Sequence, residues 1–380
     1  MIYGGLYIHI PFCIQKCLYC DFPSEPGADE VKRAAYTAAL IRQIGLWRKR
    51  FPSFVPKTIY IGGGTPSLLS NAQLQAVVAA LETSGWWQSA EERSIEANPG
   101  TVSLSKLQMM RSLGVNRISF GVQSFSNRLL TEIGRIHSAE EAVTAVEEAA
   151  QAGFSRINVD LMYGLPNQTT DDWADTLKRA VHLPVEHISA YALTVEEGTP
   201  LATKVRQNPD YLPDEDATAM MQELTAPQLA ANGFMRYEIS NYAKDGAVCL
   251  HNMGYWRYQP YLGLGAAAVS TWRGRRWRTT EKPDDYLRDA ERHLFETCEE
   301  EVLTHDERLG EYIFLGLRTV EGVSLRAINK RFNIRFQTKF AKQTKQLLAC
   351  GWAVLEQGRL RLTTEGMKWG NQAFTLFLPD

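Results

Sequence analysis

Three cysteines carry the clearest chemistry in this chain. Cys13, Cys17 and Cys20 stand at C-x3-C-x2-C spacing in one short loop, directly after an apolar run at 6–10 that Pro11 ends. Three soft thiolates on one loop can hold three irons of a four-iron, four-sulfide cube. The fourth iron is then left without a protein ligand and is open to chelate a small molecule. A zinc ion would want a fourth ligand, and His9 is the nearest candidate. His9, however, falls within the strand-like run, and no second Cys/His pair follows at finger spacing. A disulfide would leave one of the three cysteines over. The remaining cysteines, Cys249, Cys298 and Cys350, are scattered and are expected to be small buried apolar residues.

Positioning such a loop requires a scaffold, and the periodicity supplies one. Strand-like runs at 6–10, 58–61, 94–97, 117–122, 156–161 and 187–193 alternate with amphipathic helical stretches at 31–49, 71–81, 103–113, 138–152 and 170–181. Six strand–helix units argue for a parallel, barrel-like sheet, too short for an eight-fold barrel. The fold class is therefore α/β, a partial (β/α)6 barrel. A mixed α+β region follows, with a helix at 214–232, an added strand at 237–242, an aromatic stretch from His251 to Tyr258 and a helix at 286–297. Helices then lead to a hairpin at 351–362 around Gln357-Gly358, which reads as a winged-helix-like C-terminal domain. The expected divisions are 1–212, 213–300 and 301–380.

Unusual residues gather at the ends of those strands, where barrels carry their active sites. Gly62-Gly63-Gly64-Thr65-Pro66 follows the second strand, and such glycines let a backbone press against a ligand. Glu96, Gln123 and Asp160 end the third, fourth and fifth strands, Arg135 lies in the loop after the fourth, and Tyr7 lies in the first strand. A carboxylate can accept from an amino group or hydroxyls, and a guanidinium fork matches a carboxylate. Taken singly, each would be an ordinary hydrogen-bonding residue; on one barrel mouth they suggest a polar ligand.

Composition narrows the remaining classes. The chain has 380 residues, 44% of them hydrophobic, and a formal net charge of −2, which gives no overall attraction to nucleic acid or to an acidic membrane. No apolar run approaches the roughly 18 residues of a spanning helix. The first strand begins almost at once, so no signal peptide is expected, and six cysteines with three clustered fit a reducing, cytoplasmic setting. Arg326, Lys330, Arg331, Arg335, Lys339, Lys342 and Lys345 spread around their helices instead of forming one stripe, so a solvated face is expected there and no nucleic acid.

The motifs together resemble the radical S-adenosylmethionine (SAM) proteins. Tyr-Ile-His-Ile-Pro-Phe-Cys, Gly-Gly-Gly-Thr-Pro-Ser, Glu-Ala-Asn-Pro-Gly-Thr, Gly-Val-Gln-Ser-Phe, Gly-Arg-Ile-His, Asp-Leu-Met-Tyr-Gly-Leu-Pro and His-Asn-x-x-Tyr-Trp resemble the oxygen-independent coproporphyrinogen III oxidase-like group, and most closely its HemW-like haem chaperones. That resemblance implies a [4Fe–4S] cluster on Cys13, Cys17 and Cys20. It implies SAM contacts at Tyr7, Gly63, Gly64, Thr65, Glu96, Gln123, Arg135 and Asp160. It further implies haem as cargo, recipient respiratory or storage haemoproteins, an electron donor for the cluster and peripheral membrane association. The oxidases of the group resemble C-x3-C-x2-C-x-C, and here Phe22 takes the fourth position. This favours a haem chaperone over a porphyrinogen-decarboxylating enzyme, which stays the alternative. The chaperones usually follow Tyr-x-Gly-x-Gly with a stretch containing histidine, whereas this chain has Ala266-Ala267-Ala268-Val269-Ser270. His251 is then the remaining candidate for contact with haem, with a structural hydrogen-bonding role as its counterpart.

Overall fold

The computed structural model describes residues 1–295 and 297–379, and the side chains of residues 297–299 lie outside the description. Its main element is a 12-stranded sheet. The strands are β1 (Ile2–Ile10), β2 (Phe54–Gly63), β3 (Glu92–Ala97), β4 (Arg117–Gln123), β5 (Ile157–Tyr163), β6 (His187–Ala192), β7 (Met235–Arg236), β8 (Asn241–Ala243), β9 (Tyr261–Leu264), β10 (Val269–Trp272), β11 (Arg275–Thr279) and β12 (Thr297–Val302). Their spatial order is β12-β11-β10-β9-β1-β2-β3-β4-β5-β6-β8-β7. From β9 to β6 every neighbouring pair is parallel.

The crossover helices are α1 (Glu30–Arg50), α2 (Asn71–Thr83), α3 (Leu104–Ser112), α4 (Ala139–Gln151), α5 (Thr170–His182) and α6 (Glu215–Ala230). Each starts where a short polar side chain can accept from an otherwise unpaired backbone N–H. Asp29, Ser70, Ser103, Ser138, Thr169 and Asp214 do so, and at Ser70, Ser138 and Thr169 a residue three further on closes the reciprocal capping box. Gly153 ends α4 in the left-handed region, at φ +89°. Helices cover the outer face of the strands, and on β5 Ile157, Val159 and Leu161 alternate with Asn158 and Asp160, the latter lining the inside of the barrel. Thus the six expected strand–helix units form the partial barrel.

The middle region adds one strand and corrects two readings. Tyr261–Leu264 adds a seventh parallel strand beside β1. The expected strand at 237–242 is instead two short antiparallel strands, β7 and β8. Between them the Glu238 carboxylate accepts from Ser240 N–H at 2.8 Å and from the Asn241 amide at 2.6 Å, holding a turn. The helix expected at 286–297 is Pro283–Glu291, here α8, with Pro283 at its first turn and His293 at φ +56° just beyond its end; residues from Thr297 join the sheet. Glu296, within that expected helix, lies outside the described residues. Preceding β9 is α7 (Leu250–Trp256).

The C-terminal region has its own apolar core, built on Leu309, Ile313, Ile328, Phe336, Leu347 and Leu360. It comprises α9 (His305–Leu317), β13 (Val323–Ser324), α10 (Leu325–Phe332), α11 (Ala341–Ala349), β14 (Ala353–Glu356) and β15 (Arg359–Leu362). The three strands form a sheet in the order β13-β15-β14. Gln357 and Gly358, both at positive φ, make the tight turn of the wing. Cys249 is buried as expected, Cys350 is exposed, and the Cys298 side chain lies outside the description.

Candidate functional site

At the C-terminal ends of the parallel strands lies a cavity of about 430 Å³. Cys13, Cys17 and Cys20 form one wall of it. The cysteine loop is held from both sides. Leu18 N–H donates to Ile133 O at 3.1 Å, and a two-residue parallel pairing joins Phe12–Cys13 to Glu25–Pro26. The loop also meets the glycine turn: a Cβ on Gly64 would stand 2.6 Å from Phe12 O and 3.0 Å from Cys13 Sγ. Gly63, at φ +117°, would drive a Cβ into the His9 ring at 2.5 Å. Two side chains donate towards the thiols, Thr65 Oγ1 to Cys13 Sγ at 3.8 Å and Arg135 Nη1 to Cys17 Sγ at 3.3 Å.

His9 does not join the thiols. Its Nε2 donates to Pro23 O at 2.8 Å, so Nδ1 accepts from the Tyr7 hydroxyl at 2.9 Å. Among the described residues no three His, Cys, Asp or Glu side chains converge on a point that would hold a single metal ion. A cube asks for something else: three thiols on one wall, each reaching a different iron. Cys13, Cys17 and Cys20 fit that demand, with the guanidinium of Arg135 offsetting thiolate charge.

The opposite wall is polar. Gly63, Gly64, Thr65, Glu96, Gln123, Arg135 and Asp160 all line the cavity. Glu96 accepts from the Tyr60 hydroxyl at 2.8 Å and from Gly63 N–H at 3.0 Å. Burial pushes its carboxyl up to about 7, whereas burial holds the Tyr60 phenol well above its ordinary value and so keeps it a donor. Asp160, also raised by burial, accepts from Ser119 Oγ at 3.0 Å and Asn158 Nδ2 at 2.8 Å. Asn158 is fixed in turn by His187, whose Nδ1 donates to it at 2.5 Å while Nε2 accepts from Tyr237 at 2.7 Å. Gln123 sits at φ +68° and accepts from the Tyr191 hydroxyl at 3.1 Å. Arg135 is anchored by Asn98 at 2.7 Å and Gly121 O at 2.5 Å.

Two of the residues read from sequence stand apart. Tyr7 is behind the cavity wall, stacked on Tyr60 with ring centroids 6.4 Å apart. His251 is buried beneath it, hydrogen-bonded through Nδ1 to Thr58 at 2.8 Å and through Nε2 to Tyr255 at 2.9 Å. Burial lowers this imidazole to about 3. With both ring nitrogens engaged, the expectation of haem contact at His251 gives way to its structural counterpart. Sequence reasoning passed over Tyr60, Asn98, Ser119 and Tyr191, which also line the cavity. Asn98 was within reach, since it sits in the Glu-Ala-Asn-Pro motif; the others look like routine strand residues.

Parallel strands ending on three thiols and a buried polar wall define a radical SAM-type barrel. The radical SAM superfamily profile matches residues 7–180, and the HemN C-terminal domain profile matches residues 303–369. The protein named heme chaperone HemW of Lactococcus lactis is 35% identical over 99% of this chain and 98% of its own length. Its namesake of Escherichia coli is 41% identical over 73% of each. The chain belongs to the radical SAM superfamily and, within it, to the HemW family. Its fold matches that of the Escherichia coli coproporphyrinogen III oxidase HemN with a TM-score of 0.87 over 99% of this chain and 90% of that one, at 23% identity. The superfamily implies a [4Fe–4S] cluster and SAM. Among the described residues no helix is long and apolar enough to cross a membrane.

Proposed function

We propose that this protein is a haem chaperone of the radical SAM type, which binds haem and passes it to recipient haemoproteins. The observation that carries the reading is the 35% identity, over almost the whole of both chains, to a protein named heme chaperone HemW. Phe22 supports it, because the position where the oxidases of the group resemble a fourth cysteine holds an exposed phenylalanine at the cavity wall. Cys13, Cys17 and Cys20 are the residues that would hold the cluster. When bound, cluster and SAM together supply a one-electron cleavage that yields a 5′-deoxyadenosyl radical.

The chain's own residues then have separable tasks. Glu96 is placed to receive an ammonium group, and in doing so gives up the proton that burial favours. Asp160, held by Ser119 and Asn158, presents a fixed acceptor to ribose hydroxyls. Gly63 and Gly64 bring bare backbone to the ligand, with Thr65 and Gln123 beside them. Arg135 is tied to Asn98, Gly121 and Cys17, so its first task is to hold the cysteine loop and balance its charge, more than to seek out a carboxylate. Tyr7 supports this wall from behind. An electron donor for the cluster, a cytoplasmic location with peripheral membrane contact, and the divisions 1–212, 213–300 and 301–380 complete the reading.

The test is haem titration of anaerobically reconstituted protein, run beside coproporphyrinogen turnover with SAM and reductant. Stoichiometric haem binding without turnover is the expected result. Turnover without stable haem binding would overturn the chaperone reading.

A further inference from the structure

A second, larger cavity lies at the other end of the barrel. It has a volume of about 840 Å³, within the range of small-molecule sites. Its floor includes Ile2, at the start of β1, while the cysteines follow the end of that strand. Strand rise over β1 puts the two cavities roughly 25 Å apart. One side comes from the barrel: the loop from α7 into β9 and the β10–β11 turn. The other comes from α9 and α10 of the C-terminal region.

The lining has an unusual combination of groups. Tyr255, Tyr258, Tyr261, Trp272 and Phe314 offer ring surface. Two of these rings meet edge to face, Tyr255 and Tyr261, with centroids 4.7 Å apart. Four arginines line the same space, against one carboxylate, Glu311. Arg276 takes up that carboxylate at 2.6 Å and Glu301 at 3.0 Å. The side chains of Arg308 and Arg331 form no hydrogen bond or ion pair with any described residue, and Arg308 Nε is buried without a partner. Arg331 lies against the faces of Tyr258 and Tyr312, 5.3 and 5.0 Å from their centroids. Arg331 is exposed, as the sequence pattern implied, and also lines this cavity. Unpaired guanidiniums beside aromatic walls suit a flat aromatic ligand bearing carboxylates.

We propose that this cavity is the haem site, with Arg308 and Arg331 receiving the two propionates and the aromatic side chains flanking the macrocycle. The proposal rests on the chaperone reading and goes beyond it by placing the cargo at the barrel end remote from the cysteines. The lining contains no His, Cys or Met. Retention therefore depends on the propionates, the ring faces and at most a tyrosine oxygen, without a nitrogen or sulfur axial ligand, which suits a group that has to be released.

The test compares ferric haem with its dimethyl ester, in which both propionates are neutral. Absorbance titrations are made on the full-length protein and on Arg308→Gln/Arg331→Gln, with thermal melts to show that the variant is folded. In the unmutated protein the ester binds at least tenfold more weakly than haem, roughly the effect of losing one charge-assisted pair. In the double variant haem binds as weakly as the ester, and the ester is unaffected. Equal haem affinity in variant and parent overturns this site while leaving the chaperone reading intact. Equal affinity for haem and ester in the unmutated protein, which needs no variant to fold, also overturns it. Absence of haem binding to the unmutated protein overturns both.

Discussion

Glu96→Gln should strengthen the ligand-free protein and weaken its hold on SAM, two effects of opposite sign from one atom. Burial moves the Glu96 carboxyl from its ordinary 4.5 to about 7. The folded state therefore prefers the protonated form. That preference contributes stability present below pH 4.5 and lost as pH rises through 7. The interval corresponds to about 3 kcal/mol at most, order of magnitude. Glutamine keeps the shape and an acceptor oxygen for Gly63 N–H, its amide NH2 can donate to the Tyr60 hydroxyl oxygen, and it never ionises. Urea melts of the apo-protein at pH 5 and pH 8 should show parent and variant alike at the lower pH, with the variant ahead by about 1–3 kcal/mol at the higher. Calorimetric titration with SAM at pH 8 should show the reverse, a loss of roughly tenfold to a hundredfold from removing a charged partner. At pH 6 the parent should also release a proton on binding, visible as a dependence of the heat on the buffer's ionisation enthalpy, and the variant should not. An identical pH dependence of stability in the two proteins would refute the buried-acid argument. Unchanged SAM affinity would refute the assigned contact.

Further expectations follow from the same geometry. Cys13→Ser, Cys17→Ser or Cys20→Ser should each lower the iron content and the visible charge-transfer absorbance of reconstituted protein while the melting temperature of apo-protein changes little; full iron retention in any of them would remove that residue from the ligand set. Gly64→Ala forces a Cβ to within 2.6 Å of Phe12 O and should destabilise by about 1–3 kcal/mol and impair cluster loading, as read by urea midpoint and iron content. His187→Phe orphans Asn158 and Tyr237 and should destabilise by about 2–4 kcal/mol while weakening SAM binding through Asp160; a stable variant with normal affinity would show that this chain of hydrogen bonds is dispensable. Because burial holds His187 well below 6.5, its contribution is present above that value and lost as pH falls, so the parent should lose more stability than the variant on acidification.

Local chemistry was legible in the sequence, and long-range closure was not. The cysteine spacing, the glycine turn and the carboxylates at strand ends are features of a few consecutive residues, and the alternation of strand and helix puts them on one face of the barrel. Ser103, at the start of the stretch expected at 103–113, caps its helix for the same reason. Tyr261–Leu264 gave no comparable signal: four residues with a glycine among them become a strand only because β1 offers an open edge. Pro283 and the residues beyond Glu291 show the same effect at α8, where apolar periodicity ran past a helix end set by the backbone. His251 misled in a different way. Its motif drew attention to the imidazole, whereas the fold uses it to join Thr58 to Tyr255 beneath the cavity. Arg331, read as one of several surface charges, is indeed exposed, and the sequence could not show that its guanidinium also lies over Tyr258 and over Tyr312 of α9.

The position of β1 sets the order in which the molecule can be completed. This strand carries the cysteine loop, is the earliest made, and is flanked on one side by β2 and on the other by β9, whose residues are made some 250 later. The return segment also fastens α1, since Tyr36 donates to His9 O and accepts from Ala266 N–H, and Gln43 accepts from Gly265 N–H. During synthesis the edge of β1 beside the thiols therefore stays unpaired until most of the chain has left the ribosome. A nascent chain halted before Tyr261 would hold its cysteine loop through Ile133 and the 25–26 pairing yet present an open β1 edge to whatever else is nearby.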